Sequence, residues 1–364
     1  MGRHIGNAIG VAAGLLALLI GTLDGALLVR YLRIPARPES PRSGQASGIS
    51  VIVPVYNAAA TLRQTLEAIL ASEGVAPEII VADDGSTDGT ATVAKGLGGV
   101  RVITLPHRGK WAALNAGIAE ASHPLVATID ADTCVELPTL YRLSAALERH
   151  DAVAGALHVA NTGSVLGGIQ AQEHLRIAVY RRIHGTVDTV SGPVAAFRRE
   201  VVRAVPFRDS EVEDYDHTLA LRSAGASIGY VPGARAYTVM PDGLRPYLRQ
   251  RARWARGTVR AMHEHGLGMS GLRKGAAIAL CDVLVVPLCL AAGLYMPLVG
   301  LTVLEGIIQV LATRREGLRS YAGAPAFFVH LVFLAAVALS MTAYGWVSYR
   351  QYHNTRTRAR PDAL

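Results

Sequence analysis

Short apolar segments alternate with helical patterns through the middle of the chain, and this alternation limits the possible folds more than any other feature. Leu62, Leu66 and Ile69 recur at helical spacing, and Asn57 is predicted to be the N-cap of their helix. The pattern predicts an α/β fold with a doubly wound, mostly parallel sheet, which binds ligands at the carboxyl ends of its strands. The predicted strands are Ser50–Val55, Ile79–Ala82, Val100–Leu105 and Leu125–Ile129.

Apolar residues accumulate at both ends of the chain, which predicts a membrane protein with a folded middle. As a helix, Ala8–Val29 reaches about 33 Å, which is enough to cross a bilayer. A cleaved signal peptide is the alternative, but the apolar stretch is long for one and no small-residue cleavage site follows it. After Lys274, the segments Gly275–Ala312 and Ala322–Val347 predict about three further spans.

Arginines that follow the first span determine the predicted topology. Arg30, Arg33 and Arg37 place the central domain in the cytoplasm of a multi-pass cell-membrane protein, by the positive-inside rule. Three C-terminal spans put the arginine-rich tail outside, against that rule, so one C-terminal segment could be interfacial or re-entrant instead. The predicted regions are a transmembrane helix (1–33), a linker (34–48), a catalytic domain (49–242), interfacial amphipathic helices (243–273), transmembrane helices (274–349) and a basic tail (350–364).

The net charge of +8 is compatible with a nucleic acid, an anionic membrane surface or an anionic substrate. Because the arginines lie beside the apolar segments, membrane lipids are the simpler explanation, and we expect no nucleic acid partner. The three cysteines have neither the pattern of a disulfide framework nor the spacing of a metal site. We therefore expect them to be small buried side chains.

Two carboxylates directly follow the predicted strand Leu125–Ile129. Asp130 and Asp132 flank Ala131, and side chains at i and i+2 share one side of an extended chain. Hard divalent cations prefer oxygen ligands and can bridge to a diphosphate. The segment therefore predicts a Mg²⁺ or Mn²⁺ site that stabilises the charge on a departing nucleotide.

Two other strand ends carry candidate residues for nucleotide binding. Pro54 and Tyr56 lie where the first strand ends, and a flat base could stack there, although an ordinary strand-to-helix turn is the alternative. Asp83 and Asp84 end the second strand. Adjacent side chains point in opposite directions, so we expect one of the two to face the ligand and to accept the N3–H of uracil.

The segment from His107 to Lys110 precedes a predicted helix. Lys110 near this helix start could bind a phosphate, and a solvated basic turn is an equally good interpretation. Farther along the chain, Glu213 and Asp214 belong to a dense acidic cluster. An inverting transfer needs one carboxylate to take the proton of the acceptor hydroxyl, and Asp214 is our candidate, although acids also favour a first helical turn.

A basic helical segment carries the last candidates. Gln250, Arg253 and Trp254 lie at i, i+3 and i+4, on one face of a helix. Arginine binds diphosphate in a bidentate manner and tryptophan stacks on sugar rings. The same segment also has the pattern of a helix lying on an anionic membrane surface, and we expect it to do both.

With these motifs in order, residues from about Ile49 to Gly257 resemble the membrane-bound family 2 glycosyltransferases, which include hyaluronan, chitin, poly-N-acetylglucosamine and cellulose synthases. The resemblance implies a GT-A fold and a metal-bound UDP-sugar. It also implies acceptor binding by Ser191, Gly192 and Trp254. The predicted nucleotide-sugar site comprises Pro54, Tyr56, Asp83, Asp84, Lys110, Asp130, Ala131, Asp132, Gln250, Arg253 and Trp254, with Asp130 and Asp132 on the metal and Asp214, beside Glu213, as the base.

The implied activity is that of an inverting hexosyltransferase that extends a saccharide from UDP-GlcNAc. The alternative is a single transfer to a membrane lipid of the ceramide or polyprenyl-phosphate type. The expected partners are a UDP-sugar donor, a saccharide or lipid-linked acceptor and membrane lipids, and a homo-oligomer is left open. Val212 departs from the family pattern, since a threonine usually precedes the Glu-Asp pair.

Overall fold

The computed structural model describes most of the central part of the chain. The described residues are 48–185, 187, 189–190, 192–267, 289, 291, 293–315 and, near the N-terminus, 11, 13–15, 18, 22, 25–26 and 29–34. The chain divides into two compact units. The sheet unit comprises residues 37–161 and 173–240, and the helical unit comprises residues 1–36, 162–172 and 241–364.

The sheet unit contains a mixed sheet of eight strands in the order β3-β2-β1-β4-β7-β6-β8-β5. Strand β1 pairs in parallel with β2 and β4, and β2 pairs in parallel with β3, so this half is a parallel sheet. The strands are β1 (Ile49–Val55), β2 (Glu78–Asp83), β3 (Val100–Thr104), β4 (Leu125–Ile129), β5 (Thr133–Val135), β6 (Ala152–Val159), β7 (Val194–Arg198) and β8 (Ile228–Thr238). The predicted α/β class with a mostly parallel sheet is confirmed.

One reversed strand, β7, separates the parallel half from the rest of the sheet. It pairs antiparallel with both β4 and β6, whereas β6 and β8 run parallel to each other. Val194 at the start of β7 is the partner of Ile129 at the end of β4. The segment that enters β7 therefore lies at the edge of the sheet where the parallel strands end.

Helices connect the strands and bury their apolar faces against the sheet. Gly117 lets the third helix approach β1 closely, because a Cβ at this position would lie 2.4 Å from Ile52 Cγ2. Ile52, Ile80 and Phe197 belong to one buried cluster, and burying a side chain of this size stabilises the fold by about 1.5–3 kcal/mol. The helices are α1 (Leu62–Leu70), α2 (Thr90–Lys95), α3 (Lys110–Glu120), α4 (Thr139–Ala146), α5 (Val165–His184), α6 (Arg199–Ala204) and α7 (Glu213–Ser223).

The predicted N-cap of the first helix is wrong. Helix α1 begins at Leu62 with Thr61 as its N-cap residue. Asn57 instead adopts a φ of +49°, and its Oδ1 accepts a hydrogen bond from Thr87 N at 2.9 Å. Asparagine tolerates this left-handed conformation better than most residues, so it serves a turn that ties β1 to the loop after β2.

The helical unit contains two long helices among its described residues, α8 (Leu244–Glu264) and α9 (Tyr295–Arg315). Of the predicted N-terminal span, only scattered positions are described, and they are helical. Of the predicted C-terminal spans, residues 268–288 and 316–349 lie outside the described residues, as does the basic tail. Within the part of the chain that the structure describes, no helix combines the length and the apolar character needed to cross a membrane.

Candidate active site

Strand β4 ends in a tight turn that carries two carboxylates. Thr133 N donates to Asp130 O at 3.1 Å, which closes the turn Asp130-Ala131-Asp132 between β4 and β5. The sequence argument from an extended chain is therefore wrong, because the chain turns at these residues. The Asp130 side chain lies inward, with 22% of its surface exposed, whereas Asp132 is exposed.

Lys110 connects this turn to the acidic start of helix α7. Its Nζ lies 2.7 Å from Asp130 Oδ1 and 2.8 Å from Glu213 Oε1. Burial on its own would lower the pKa of Lys110, but the charges of Asp130 and Glu213 outweigh it and hold this pKa above its ordinary value. The lysine is therefore a fixed positive charge between two acidic segments that are far apart in the sequence.

The pKa of the Asp130 carboxyl is raised despite this lysine. Burial raises the pKa of Asp130, and the nearby charge of Lys110 only partly opposes that effect. The negative charges of Asp132 and Glu213 raise the same pKa further. The cleft thus holds more acidic groups than its lysine can balance, which favours the binding of an additional cation.

Asp214 lies in the same cleft, in the first turn of α7. Its Oδ1 accepts a hydrogen bond from Tyr215 N at 2.8 Å, and its Oδ2 accepts one from Gly192 N at 3.3 Å. Burial and the charge of Glu213 raise the pKa of Asp214 to about 6, against the opposing charge of Lys110. A carboxylate with this pKa is ionised at neutral pH and can still accept a proton, as a general base must.

The segment before β7 closes this side of the cleft. A Cβ at Gly192 would lie 3.3 Å from Asp214 Oδ2 and 3.4 Å from Lys110 Nζ, so only glycine leaves these groups undisturbed. Ser191, its predicted partner in acceptor binding, lies outside the described residues. The structure thus brings Gly192, Lys110, Asp130, Glu213 and Asp214 together at one edge of the sheet.

Asp84 holds the loop that leads to Lys110. Its two carboxylate oxygens accept hydrogen bonds from Arg108 N and Gly109 N, both at 2.8 Å, and His107 Nδ1 lies 2.8 Å from Oδ2. This anchoring was not predicted, because the loop lies more than twenty residues away in the sequence. Asp83 is also buried, and its Oδ1 accepts a hydrogen bond from Ser86 N at 2.9 Å.

Tyr56 and His107 form a stacked pair beside this loop. Their ring centroids are 4.1 Å apart, and the Tyr56 residue is 49% exposed. Pro54 is buried within β1, opposite Ala82, so it does not reach the surface where a base could stack. Of the two predicted stacking residues, the structure therefore exposes Tyr56 alone.

The carboxylate oxygens of Asp132 are ligands of the kind that a hard cation prefers. Its Oδ1 accepts hydrogen bonds from the Thr133 and Thr238 hydroxyls at 3.2 and 3.3 Å. Among the described residues, no group of three or more His, Cys, Asp or Glu side chains is arranged to hold a metal. Mg²⁺ commonly binds one or two protein carboxylates and completes its coordination with substrate phosphates and water. Asp130 and Asp132 fit that pattern.

The predicted residues of helix α8 lie in the helical unit. Gln250 and Trp254 are half-buried, and Arg253 is exposed. Sequence reasoning missed Arg251, which is buried and whose guanidinium carbon lies 4.8 Å from the Tyr247 ring centroid and 4.6 Å from that of Trp254. A cation between two aromatic rings restricts the Trp254 ring.

Three polar side chains that support the cleft also escaped prediction. Asn115 Nδ2 donates to Phe207 O at 2.8 Å, and Asn115 Oδ1 accepts from Phe207 N at 3.0 Å. Thr218 Oγ1 accepts from Val190 N and donates to Asp214 O. Arg208 binds both carboxylate oxygens of Asp216. The partners of Asn115 and Thr218 lie 92 and 28 residues away, so local sequence patterns carry no signal for them.

Comparisons with known proteins relate a large part of the chain to one family of enzymes. Residues 50–205 match the family described as "Glycosyl transferase family 2". The chain is 33% identical over 227 residues to the poly-beta-1,6-N-acetyl-D-glucosamine synthase of Staphylococcus aureus (strain COL), and 31% identical over 226 residues to that of Staphylococcus epidermidis. Each alignment covers 58% of this chain and 55% of the relative, so the chain spans about half the length of these curated relatives.

A solved structure resembles the chain over nearly its whole length. The mannosyltransferase PcManGT from Pyrobaculum calidifontis, in complex with GDP-Man and Mn²⁺, superposes with a TM-score of 0.59 at 20% identity. The superposition covers 94% of this chain and 99% of that one. At this identity the likeness shows the fold, which is of the GT-A type.

Proposed function

We propose that this chain, whose residues 50–205 match glycosyl transferase family 2, is an inverting, metal-dependent transferase that extends a saccharide at its non-reducing end from a UDP-sugar. One observation carries the proposal. Lys110 contacts both Asp130, in the turn after β4, and Glu213, the neighbour of Asp214. A donor-binding turn and a general base thereby share one cleft, as a direct transfer between donor and acceptor requires.

The described side chains suit the two halves of the reaction. When bound at Asp130 and Asp132, Mg²⁺ or Mn²⁺ would act as a Lewis acid that stabilises the negative charge of the departing diphosphate. On the acceptor side, Asp214 takes the proton of the attacking hydroxyl on its carboxylate. Its pKa of about 6 keeps it ionised at neutral pH and basic enough for that step. Lys110 keeps the neighbouring acids at fixed positions.

The proposed binding sites for the uracil ring and the diphosphate of the donor follow from the strand ends. Tyr56 offers an exposed ring for the uracil, and Asp83 and Asp84 lie directly beside it at the end of β2. We further propose that Gln250, Arg253 and Trp254 bind diphosphate and acceptor, and that Ser191 and Gly192 line the acceptor site. GlcNAc is the proposed sugar, because the curated relatives are named as N-acetylglucosamine polymer synthases.

A product assay tests the proposal. Purified full-length protein is incubated with radiolabelled UDP-GlcNAc, Mn²⁺ and a short GlcNAc oligosaccharide, and the products are sized by mass spectrometry. We expect a ladder of saccharides longer than the primer, and the Asp214→Asn variant to abolish it. Glu148→Gln is the matched control, because Glu148 is an exposed acid in the same unit. A full set of UDP-sugars that gave neither transfer nor hydrolysis would refute the proposal.

The same assay separates polymerisation from a single transfer to lipid. Saccharide products stay in the aqueous phase, whereas a glycosylated ceramide or polyprenyl phosphate partitions into organic solvent. A product found only in the organic phase, with one sugar per lipid, would replace the proposed acceptor and leave the donor chemistry unchanged.

We also propose that the protein is held in the cell membrane with its sheet unit in the cytoplasm. The support lies in the sequence, in the apolar segments 8–29, 275–312 and 322–347 and in the arginines that follow the first of them. Carbonate extraction of membranes tests it. The protein is expected to stay in the pellet, and its release into the supernatant would contradict the proposal.

A further inference from the structure

A threonine on helix α1 contacts the carboxylate turn from behind. Thr65 is fully buried, on the same face as Leu62 and Leu66. A buried hydroxyl is costly unless it forms a hydrogen bond, and within a helix threonine commonly bonds to the carbonyl four residues earlier. Thr65 Oγ1 instead donates to Ala131 O at 3.0 Å, across 66 residues of sequence.

This hydrogen bond acts on the middle of the turn. Ala131 lies between Asp130 and Asp132, and the peptide group that contains its carbonyl is planar and continues to the Cα of Asp132. Fixing the Ala131 carbonyl therefore helps to fix the position of the Asp132 Cα, from which the side chain leaves the backbone. The closing hydrogen bond from Thr133 N to Asp130 O holds the other side of the same turn.

A second threonine acts on the Asp132 carboxylate itself. Thr238 is the last residue of β8, is 4% exposed, and pairs with Thr133 across β5 and β8. The hydroxyls of Thr133 and Thr238 both reach Oδ1 of Asp132, at 3.2 and 3.3 Å. Oδ2 accepts no hydrogen bond from any residue that the structure describes. The two hydroxyls thus hold one oxygen and leave the other free for a ligand.

We propose that Thr65 and Thr238 are positioning residues that hold the Asp130-Ala131-Asp132 turn in the orientation that binds a divalent cation together with a nucleoside diphosphate. This inference rests on the proposed function. Removing a hydrogen-bond partner behind a metal ligand typically weakens metal binding by about 10- to 100-fold. In this proposal neither threonine is a metal ligand: Thr65 acts through the Ala131 carbonyl, and Thr238 acts through the Asp132 carboxylate.

Thr65→Val is the principal test, because valine keeps the shape of threonine and removes the hydroxyl. The purified full-length protein is titrated with Mn²⁺ at saturating UDP, and free Mn²⁺ is measured by electron paramagnetic resonance. We expect the Kd for Mn²⁺ to rise about ten-fold or more. Binding of UDP without metal, followed by calorimetry, is expected to stay within about two-fold, since the base-binding residues lie elsewhere.

A matched control separates positioning from stability. Thr139 is also a fully buried helical threonine, and its Oγ1 donates to Arg235 O at 2.6 Å, outside the turn. Thr139→Val is expected to lower the melting temperature as much as Thr65→Val does and to leave the Kd for Mn²⁺ unchanged. Thr65→Ser restores the hydroxyl and is expected to bind Mn²⁺ as the unchanged protein does.

Thr238→Val is an independent second variant for the same Mn²⁺ titration. It tests the proposal even if Thr65→Val does not fold. It is expected to raise the Kd for Mn²⁺ about three- to ten-fold. Wild-type affinity in either valine variant that folds would overturn the proposal for that residue. Failure of the unchanged protein to bind Mn²⁺ with UDP, or full binding by Asp132→Asn, would instead contradict the proposed function.

Discussion

Two acidic regions of the sheet unit follow β2 and β4, the strands on either side of β1, and they are built in opposite ways. Asp84 is buried, and backbone N–H groups from the loop before α3 satisfy both of its oxygens. In the Lys110 cluster, comprising Lys110, Asp130, Glu213 and Asp214, several carboxylates share one lysine. A carboxylate with its own donors fixes the backbone, whereas a group short of counter-charge remains ready to exchange a proton or bind a cation.

Asp214, the proposed general base, provides the sharpest test of this contrast. Asp214→Asn is expected to lower kcat by about 10²- to 10⁴-fold, the usual contribution of general acid–base catalysis. Because the variant removes a poorly balanced charge, its melting temperature is expected to equal or exceed that of the unchanged protein. Turnover and thermal melting measured on one preparation check both. A loss of stability with activity kept would reverse the assignment.

Asp216 provides the internal control, two residues farther along α7. It is buried, and Arg208 binds both of its oxygens. Asp216→Asn is expected to destabilise the protein by about 1.5–3 kcal/mol, the range for a hydrogen bond to a charged group, and this loss is measured by denaturant unfolding. Its kcat per folded molecule is expected to change far less than that of Asp214→Asn.

Lys110→Met is expected to disturb the cluster at intermediate strength. The lysine's positive charge lowers the pKa of Asp214, so its removal raises that pKa. The increase of kcat with pH is therefore expected to move to higher pH, with about a 10- to 100-fold loss at neutral pH. Lys95→Met, at an exposed lysine of α2, is the control. An unshifted pH profile would mean that Lys110 does not act on the base.

Asp84→Ala is expected to act mainly on the fold and on nucleotide affinity. It leaves the backbone N–H groups of Arg108 and Gly109, which are only partly buried, without their acceptor, so we expect a loss of about 1–3 kcal/mol in total. The loop before Lys110 then loosens, so we expect KM for the UDP-sugar to rise several-fold while kcat falls less. Steady-state kinetics and thermal melting test this. A loss confined to kcat would place Asp84 among the reacting groups instead.

The smallest expected effect is the pH dependence of the unchanged protein. The pKa of Asp214 rises from 3.8 to about 6 on folding, so between these values the folded state binds more protons than the unfolded state. The contribution of this group to stability is therefore largest at low pH and decreases as the pH rises towards 6. Asp214→Asn is expected to remove this contribution from the pH dependence of the free energy of unfolding, measured by denaturant. If the free energy of unfolding changed with pH as steeply in the variant as in the unchanged protein, the raised pKa of Asp214 would be contradicted.

The first half of the sheet could be predicted because its signals are local. The segments Ser50–Val55 and Leu125–Ile129 are short apolar runs bounded by polar turns, and they match β1 and β4 within one residue. Strands β5 to β8 were not predicted. A strand such as β7 is defined by partners far away in the sequence, which local composition does not encode.

In the candidate site, too, some features follow from the local sequence and others depend on contacts between distant residues. Residue types and spacing predict Asp130, Asp132 and Asp214 as site residues, and only the folded chain shows that Lys110 contacts both Asp130 and Glu213, the neighbour of Asp214. The sequence predicts Asn57 as a helix cap, and it cannot distinguish this role from the observed left-handed turn, because the same side chain suits both. Thr65 lies on an apolar helix face, where its pattern indicates only burial, so its contact with Ala131 could not be foreseen.

The reversal of β7 separates two kinds of evolutionary change. The residues proposed to contact the nucleotide follow strands running in one direction, whereas Gly192 lies at the same edge of the sheet just before β7, which runs in the other. A duplication, insertion or exchange in the chain between α5 and β7 can therefore alter the acceptor surface proposed to face Asp214, without changing β1, β2 or β4. Chimaeras that exchange residues 185–193 between related chains would inherit a new acceptor preference while keeping the parental donor.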